Sequence, residues 1–491
     1  MGQLVTLKLD RWLPDFIPFG MPEGGLTICK NVIPYRGKFM PFRRAVRYSS
    51  NALADNGISG YETMDSTGTK YTFIGTATKL YRLETNKTLT DISKPGGYNT
   101  GENRWSFEQY GQWIIATNYA DPIQVLKGLT ASNFQDLGGN PPKAKYVLFF
   151  KGHLILAYLN ENGVVSPNKF IWSARENVED FVQELPTGAD AQQIGEIKGE
   201  ITGLAHGGEL FYIPSTNAIT RVLYRLDALT FDIRTQFYGV GALAGSIAQH
   251  GAVIYFFDDR DIYKLENGEL TSIGEGVRET ILDSINQNYK YRLTNAGDVR
   301  NGLTFWSYAS TASEDGTPDK ILCYNQKIDK FSLIEINHNC IVNARRVGVD
   351  IDGLDAFADT INTLPWATDS IYYQAMSSFA CVDTSNYISN FLGTALTGGI
   401  ETAEFSANDS VFLASRVRPR VQKAIDPITV RLGKRMNEAD DFVYTDGVNV
   451  AASGYADMPS GAARYARCYI ETGLHEGILD IIVEGDIISR Y

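Results

Sequence analysis

The chain has 491 residues, 44% of them apolar and 21% charged, with a formal net charge of -12. That balance describes a folded chain and argues against a general nucleic-acid binder, which needs a basic footprint. No run approaches the ~18 apolar residues of a membrane-spanning helix.

The aromatic and glycine counts, Tyr 27, Phe 24 and Gly 46, favour strands and tight turns over helices. Residues 1–50 read as an extended arm, because Pro14, Pro18, Pro22, Pro34 and Pro41 forbid regular helix. The opening MGQLVTLKLDRW lacks the apolar centre of a secretion signal. The arm carries a basic cluster of Arg36, Lys38, Arg43, Arg44 and Arg47, with no acid among them.

Residues 51–405 read as an array of small antiparallel units. Strand-like runs occur at 71–75, 79–83, 105–110 and 113–117. Further units follow at 145–174, 201–224, 245–274 and 303–335, with a last one over 369–405. The clearest, 245–274, holds GSIAQHG, AVIYFFDDRD, IYKLENGE and LTSIG, four short runs joined by Gly-, Asp- or Asn-bearing turns. One such meander cannot bury both faces alone and must stack on copies of itself. Unit starts lie roughly 40 to 55 residues apart, the spacing of propeller blades. Closing the row into a ring protects its end faces. The fold class is therefore all-β, a propeller of four-stranded units, with one helix expected over 276–288. Residues 406–491 show longer alternating strands and read as a β-sandwich.

Several constellations invite chemistry. The five histidines, His153, His206, His250, His338 and His475, show no metal-ligand spacing. His206 and His250 take equivalent places beside a hairpin glycine and read as turn residues. GVGALAG (239–245) resembles a phosphate loop but precedes a strand, so it reads as a joint between units. Asp350, Asp352 and Asp355 begin like a calcium loop, yet Ile361 stands where the closing Glu belongs. An Asp-rich turn is the plainer reading, and calcium stays open there. SEDGTP (313–318) only partly matches an Asp-box turn. The adjacent Asp258 and Asp259 suit any hairpin, and no nucleophile elbow is present. No cofactor, metal or catalytic motif emerges, and a non-enzymatic chain is expected. Cys29, Cys323, Cys340, Cys381 and Cys468 are far apart and read as buried thiols of a reducing compartment.

A second basic cluster lies near the C-terminus. Arg416, Arg418 and Arg420 alternate and should share one strand face, followed by Lys423, Arg431, Lys434 and Arg435. Residues 416–435 thus hold seven basic side chains against one acid, Asp426. Docking to an acidic neighbour, another copy included, and neutralisation within the chain both fit this pattern.

The stretch 13–42, LPDFIPFGMPEGGLTICKNVIPYRGKFMPF, resembles the opening of tail nozzle or tail hub proteins of short-tailed phages and prophages. The matching places hold Leu13, Pro14, Asp15, Gly25, Leu26, Cys29, Asn31, Val32, Pro34 and Gly37. Residues 201–213, 245–282, 352–374, 417–435 and 475–486 resemble later segments of that family in the same order. Where many relatives carry a Trp and a Gln-Gly pair, this chain has Leu474, His475, Glu476 and Gly477. The resemblance implies a virion tail component made in the bacterial cytoplasm, without a cofactor. It implies a ring, usually of six copies, below the portal and adaptor. Such a ring helps retain packaged DNA, passes it without sequence-specific binding and seats fibres, spikes or a plug. A glycan-binding or glycan-degrading tail propeller is the alternative reading.

Overall fold

A computed structural model describes the chain except for residues 1–2, 18–19, 102, 185–186, 196–198, 226–229, 346–353, 355–359, 364–376, 408–409, 460 and 490–491. Among the described residues, seven four-stranded antiparallel units span 57–91, 106–136, 143–193, 205–238, 248–272, 294–335 and 340–390. Six are separate sheets. The sixth in chain order, 294–335, is the inner part of a wider sheet. The last unit takes its outer strand, Val46–Arg47, from ahead of the first unit. We call these units blades one to seven.

The blades close into a ring because each second strand is apolar on both faces. Phe73 packs toward blade two and Ile74 toward blade seven. In blade two, Ile114 faces blade one and Ile115 faces blade three. Phe211 and Tyr212 divide likewise between blades three and five, as do Trp306 and Phe305 between blades five and seven. A strand buried on both sides loses its alternation and reads as a continuous apolar run. This is why Val253–Phe257 (VIYFF) and Leu303–Tyr308 (LTFWSY) stand out in the sequence. Each fully buried Phe or Ile contributes roughly 1.5–3 kcal/mol.

A second domain is a sandwich of two sheets. One contains Val32–Tyr35, Lys38–Pro41, His475–Ser489, Val411–Ala424 and Ala456–Asp457. The other continues from the outer strand of blade six through Leu26–Lys30, Gly398–Thr402, Tyr465–Thr472 and Ile428–Arg435. Val417, Ile481 and Val483 face Val430, Leu432 and Ile470 across the interior. The join is a parallel pairing of Lys30 with Leu333.

Three sequence boundaries shift. The expected arm is not a free extension: its strands Gln3–Lys8, Leu26–Lys30, Val32–Tyr35, Lys38–Pro41 and Val46–Arg47 are woven into both sandwich sheets and blade seven. Gly398–Thr402, grouped with the propeller on sequence, pairs with Tyr465–Thr472 in the second domain. Blades six and seven begin one strand earlier than the apolar runs suggest, with Thr294–Asp298 and Cys340–Arg345. The helix Arg278–Ser284 occupies the link between blades five and six, within the expected stretch.

Candidate functional site

An even number of antiparallel strands returns the chain to the face from which it entered. All seven first strands therefore begin on one face, and the loops ahead of them converge on the ring axis. Two adjoining cavities open there. One, of about 500 Å³, is lined by residues that include Asp55, Asn56, Thr78, Asn103, Tyr291 and Arg292. The other, of about 260 Å³, is lined by residues that include Arg104, Ser106, Lys145, Tyr146, Thr202 and Tyr291. Asn103 and Tyr291 border both. Between them the two cavities touch all seven blades or the links that lead into them.

The smaller cavity is cationic inside an acidic chain. No Asp or Glu lines it among the described residues. Burial holds the Arg104 guanidinium below its ordinary basicity, and its Nη1 is buried without a hydrogen-bond partner. Gly245 makes room for it: a Cβ there would stand 2.0 Å from Arg104 Nη1. Thr202, 4% exposed, likewise has an unpartnered Oγ1. Lys145 Nζ sits 3.7 Å from the Tyr158 ring centre and 5.5 Å from that of Tyr119. Burial lowers the Lys145 pKa against a smaller opposing effect of Glu200. Burial first, then Glu200, pushes the Tyr158 phenol up to about 12. In the larger cavity Arg292 lies against the rings of Tyr289 and Tyr291, at 5.7 and 6.0 Å.

Of the motifs singled out in the sequence, GVGALAG alone reaches the smaller cavity, through Ala244 and Gly245. The histidines stay apart. His153 Nδ1 lies 2.7 Å from the Ser173 carbonyl oxygen, and His250 Nε2 lies 3.1 Å from Thr304 Oγ1. His206 and His250 both end first strands, of blades four and five. Among the described residues, no three His, Cys, Asp or Glu side chains are grouped to hold a metal ion. Asp350, Asp352 and Asp355 lie outside the described residues. GVGALAG links blades four and five and is pinned, with Gly241 N donating to Asp258 Oδ1 at 3.0 Å. SEDGTP folds on itself in blade six: Asp315 accepts from Thr317 N at 2.9 Å and Thr317 Oγ1 at 2.8 Å. All five cysteines are free and buried.

Both basic clusters fall on or beside the sandwich, and most of their members are partnered within the chain. Arg416 pairs with Asp457 at 2.9 Å, Arg420 with Asp480, Arg431 with Glu471 at 3.6 Å and Arg435 with Glu404 at 2.5 Å. Arg47 lies 3.5 Å from Asp383, on the strand that closes blade seven. Lys38 donates to Gln422 Oε1 at 2.8 Å, Arg43 to the Leu392 carbonyl at 3.1 Å and Lys434 to the Pro459 carbonyl at 2.9 Å. Arg36 lies over Tyr35 and Arg418 over Tyr455, while Arg44 is exposed. The shared face of Arg416, Arg418 and Arg420 is observed, all three being exposed while Val417 and Pro419 are buried.

The residues of the 13–42 stretch act as seams. Asp15 accepts from Glu279 N at 2.9 Å and Thr280 N at 2.8 Å, at the start of the helix between blades five and six. Asn31, at φ 56°, donates to the Thr397 carbonyl at 2.9 Å and accepts from Glu335 N at 2.8 Å. The Pro34 carbonyl accepts from Asn325 Nδ2 at 2.8 Å.

No family model and no curated protein matches the sequence. Solved structures with a similar fold include virginiamycin B lyase from Staphylococcus aureus, at TM-score 0.38 and 12% identity over 60% of this chain and 88% of that one. YCF48 bound to D1 peptide aligns at TM-score 0.38 and 8% identity, over 73% and 96%. PorZ, a surface component of the type-IX secretion system of Porphyromonas gingivalis, aligns at 0.38 and 11%, over 81% and 44%. At these identities the likeness concerns the propeller fold alone.

Proposed function

We propose that this chain is a structural subunit of a short-tailed phage tail, of the nozzle or hub type. Copies would form a ring below a portal and adaptor, with the DNA path between copies and seats for fibres, spikes or a plug on the outside. The observation that carries this reading is the 13–42 stretch. It holds the most detailed part of the family resemblance, and Asp15, Asn31 and Pro34 within it bind the propeller to the sandwich. The resemblance runs on through later segments in the same order, and an assembly part needs such seams, since its two domains must keep one relative pose.

The sandwich also offers surface for neighbours. Val443, on the short outer strand Val443–Tyr444, is 74% exposed, and Ile488 on the long strand His475–Ser489 is 57% exposed. Apolar side chains beside open strand edges favour pairing with another chain. Arg36, Arg44 and Arg418 are the cluster members without a carboxylate or hydrogen-bond partner among the described residues, and they would be the charged part of such a contact.

Electron microscopy of the purified protein, alone and with its adaptor, tests the reading. Rings with a central hole are expected. A protein that stays monomeric at high concentration and is missing from isolated tails would overturn it. Release of oligosaccharide from host surface polysaccharide would favour the glycan-acting alternative instead.

A further inference from the structure

The sheet that runs from blade six into the sandwich carries opposite charges at its two ends. At the blade-six end three turns are tied together. The Tyr35 hydroxyl donates to Asn301 Oδ1 at 3.1 Å, and Lys327 Nζ donates to the Arg300 carbonyl at 2.6 Å. These turns follow Val32–Tyr35, Thr294–Asp298 and Lys320–Asn325. They present Arg36, Arg300 and Lys327, all exposed and none with a carboxylate partner among the described residues. The carboxylates beside them in the chain are already partnered. Asp298 accepts from Asn301 Nδ2 at 2.6 Å, and Asp329 accepts from the Tyr324 hydroxyl at 3.0 Å and pairs with Arg11. Val299, next to Arg300, is 60% exposed.

The far end has the opposite character. Ile428–Arg435 and Val443–Tyr444 close the sheet away from blade six. Val443 is 74% exposed there and Tyr444 42%. The hairpin between these strands and the turn beyond it hold Glu438, Asp440, Asp441 and Asp446, all exposed and none paired with a cation among the described residues. Each end therefore offers an exposed apolar side chain rimmed by charge of one sign, the make-up of a protein contact, and the signs are complementary. Within one subunit the two ends are held apart by Leu26–Lys30, Gly398–Thr402 and Tyr465–Thr472, which lie between them in the sheet. A polyanion such as DNA would suit the basic end and leave the acidic end unexplained. A second copy of this chain answers both.

We propose that the hairpin 436–447 of one copy docks on the turns of Arg36, Arg300 and Lys327 in the next, with Val443 set against Val299. Because the two surfaces differ, the contact is head-to-tail, and its repetition closes a ring or runs on as a filament. This deepens the tail reading: it rests on the premise that copies associate, and adds which surfaces meet.

Sedimentation velocity of the full chain over a range of concentrations, at low and high sodium chloride, tests it with two charge reversals. One variant carries Arg36→Glu and Arg300→Glu, the other Asp440→Lys and Asp441→Lys. The wild type should self-associate, less so at high salt. Each variant alone should keep the wild-type melting temperature, since the four positions are exposed, and lose self-association by about tenfold or more. An equimolar mixture of the two should associate again, because every contact in it then joins opposite charges. Damage to folding, or a contact of like surface with like, would not be rescued by mixing. Association unchanged in both variants, or lost and not restored in the mixture, would overturn this interface and leave the tail reading standing. A wild type that is monomeric throughout would overturn the interface too, while the tail reading would still turn on whether the chain is found in isolated tails.

Discussion

Asp15 caps the helix that begins 263 residues later in the chain: its Oδ1 accepts both the backbone N–H and the hydroxyl of Thr280, at 2.8 and 2.6 Å. The helix's own N-cap, Val277, has no side chain that can do this. The contact therefore satisfies helix donors and fastens the arm to the link between blades five and six. Gly276, at φ 82°, lets Leu13 and Phe16 approach, since a Cβ there would stand 2.5 Å from Leu13 Cδ2.

Asp15→Ala should destabilise the protein by about 1 kcal/mol, the usual cost of losing a capping acceptor. Asp15→Asn should cost less, because it keeps an acceptor and loses only the favourable charge at a helix N-terminus. Urea midpoints of the three proteins check this. Equal midpoints for wild type and Asp15→Ala would mean that the cap bears no load.

Arg435 and Glu404 form a pair whose side chains are 9% and 5% exposed. The guanidinium also lies over the rings of Phe442 and Tyr465. Arg435→Met leaves a carboxylate buried with no partner and should cost about 3–5 kcal/mol. Arg418→Ala, at an exposed position on the other sheet of the sandwich, should change stability by no more than about 0.5 kcal/mol. A denaturation series on both variants separates the member of the basic cluster that holds the sandwich together from one available to a neighbour. Similar losses for the two would remove that distinction.

These contrasts show where the sequence was legible. Second strands of blades were, because burial on both faces makes runs such as VIYFF and LTFWSY. First strands were uneven: Ser106–Tyr110 and Ala248–His250 fall in runs read from the sequence, but Thr294–Asp298, which reads TNAGD, and Cys340–Arg345 do not. Thr294–Asp298 is held by its neighbours and carries little apolar pattern of its own. The arm was misjudged for a related reason. Pro34 and Pro41 look like strand breakers, yet both sit in the hairpin of Val32–Tyr35 with Lys38–Pro41, opposite Phe39 and Val32. Proline is tolerated where its missing N–H is not called on. The turn uses positive φ at Arg36 and Gly37, which the Arg-Gly pair only half announces. The axial site was invisible altogether. Arg104, Lys145 and Thr202 sit in three different units, and only closure of the ring makes them neighbours.

Two histidines give the protein an acid limit. His338 is fully buried, with Nδ1 2.8 Å from the Ile336 carbonyl oxygen, and burial pushes its pKa down from 6.5 to about 4. His475 is pushed down to about 4 by burial first and then by Lys38. In the unfolded chain both bind a proton near 6.5, so between 6.5 and 4 the unfolded state holds more protons. Stability is fully present above pH 6.5 and falls as the pH drops toward 4, by roughly 3 kcal/mol for each group. Urea midpoints at pH 7, 5.5 and 4.5 should decline, and His338→Gln should flatten the decline. The depressed carboxyls, such as Glu335 beside Lys30 and Lys320, lose their contribution only below the ordinary carboxylate range. A midpoint constant from pH 7 to 5 would contradict the assignment.

Glu108 sets the opposite limit. It lies on the first strand of blade two, and burial raises its carboxyl to about 8, against the pull of the Gln109 and Phe149 backbone. Here the folded state is the one that holds the extra proton, from the ordinary carboxyl value near 4.5 up to about 8. The stabilisation is complete below about 4.5 and is lost as the pH rises through 8. Glu108→Gln keeps the size and the hydrogen-bonding reach and removes the titration. Its melting temperature relative to wild type should therefore climb between pH 5 and pH 8. Because the histidine effect runs the other way, the wild-type curve should peak between the two limits, and Glu108→Gln should move that peak to higher pH. A difference that stays constant with pH would mean that the carboxyl is already ionised at neutral pH and is paired in the fold.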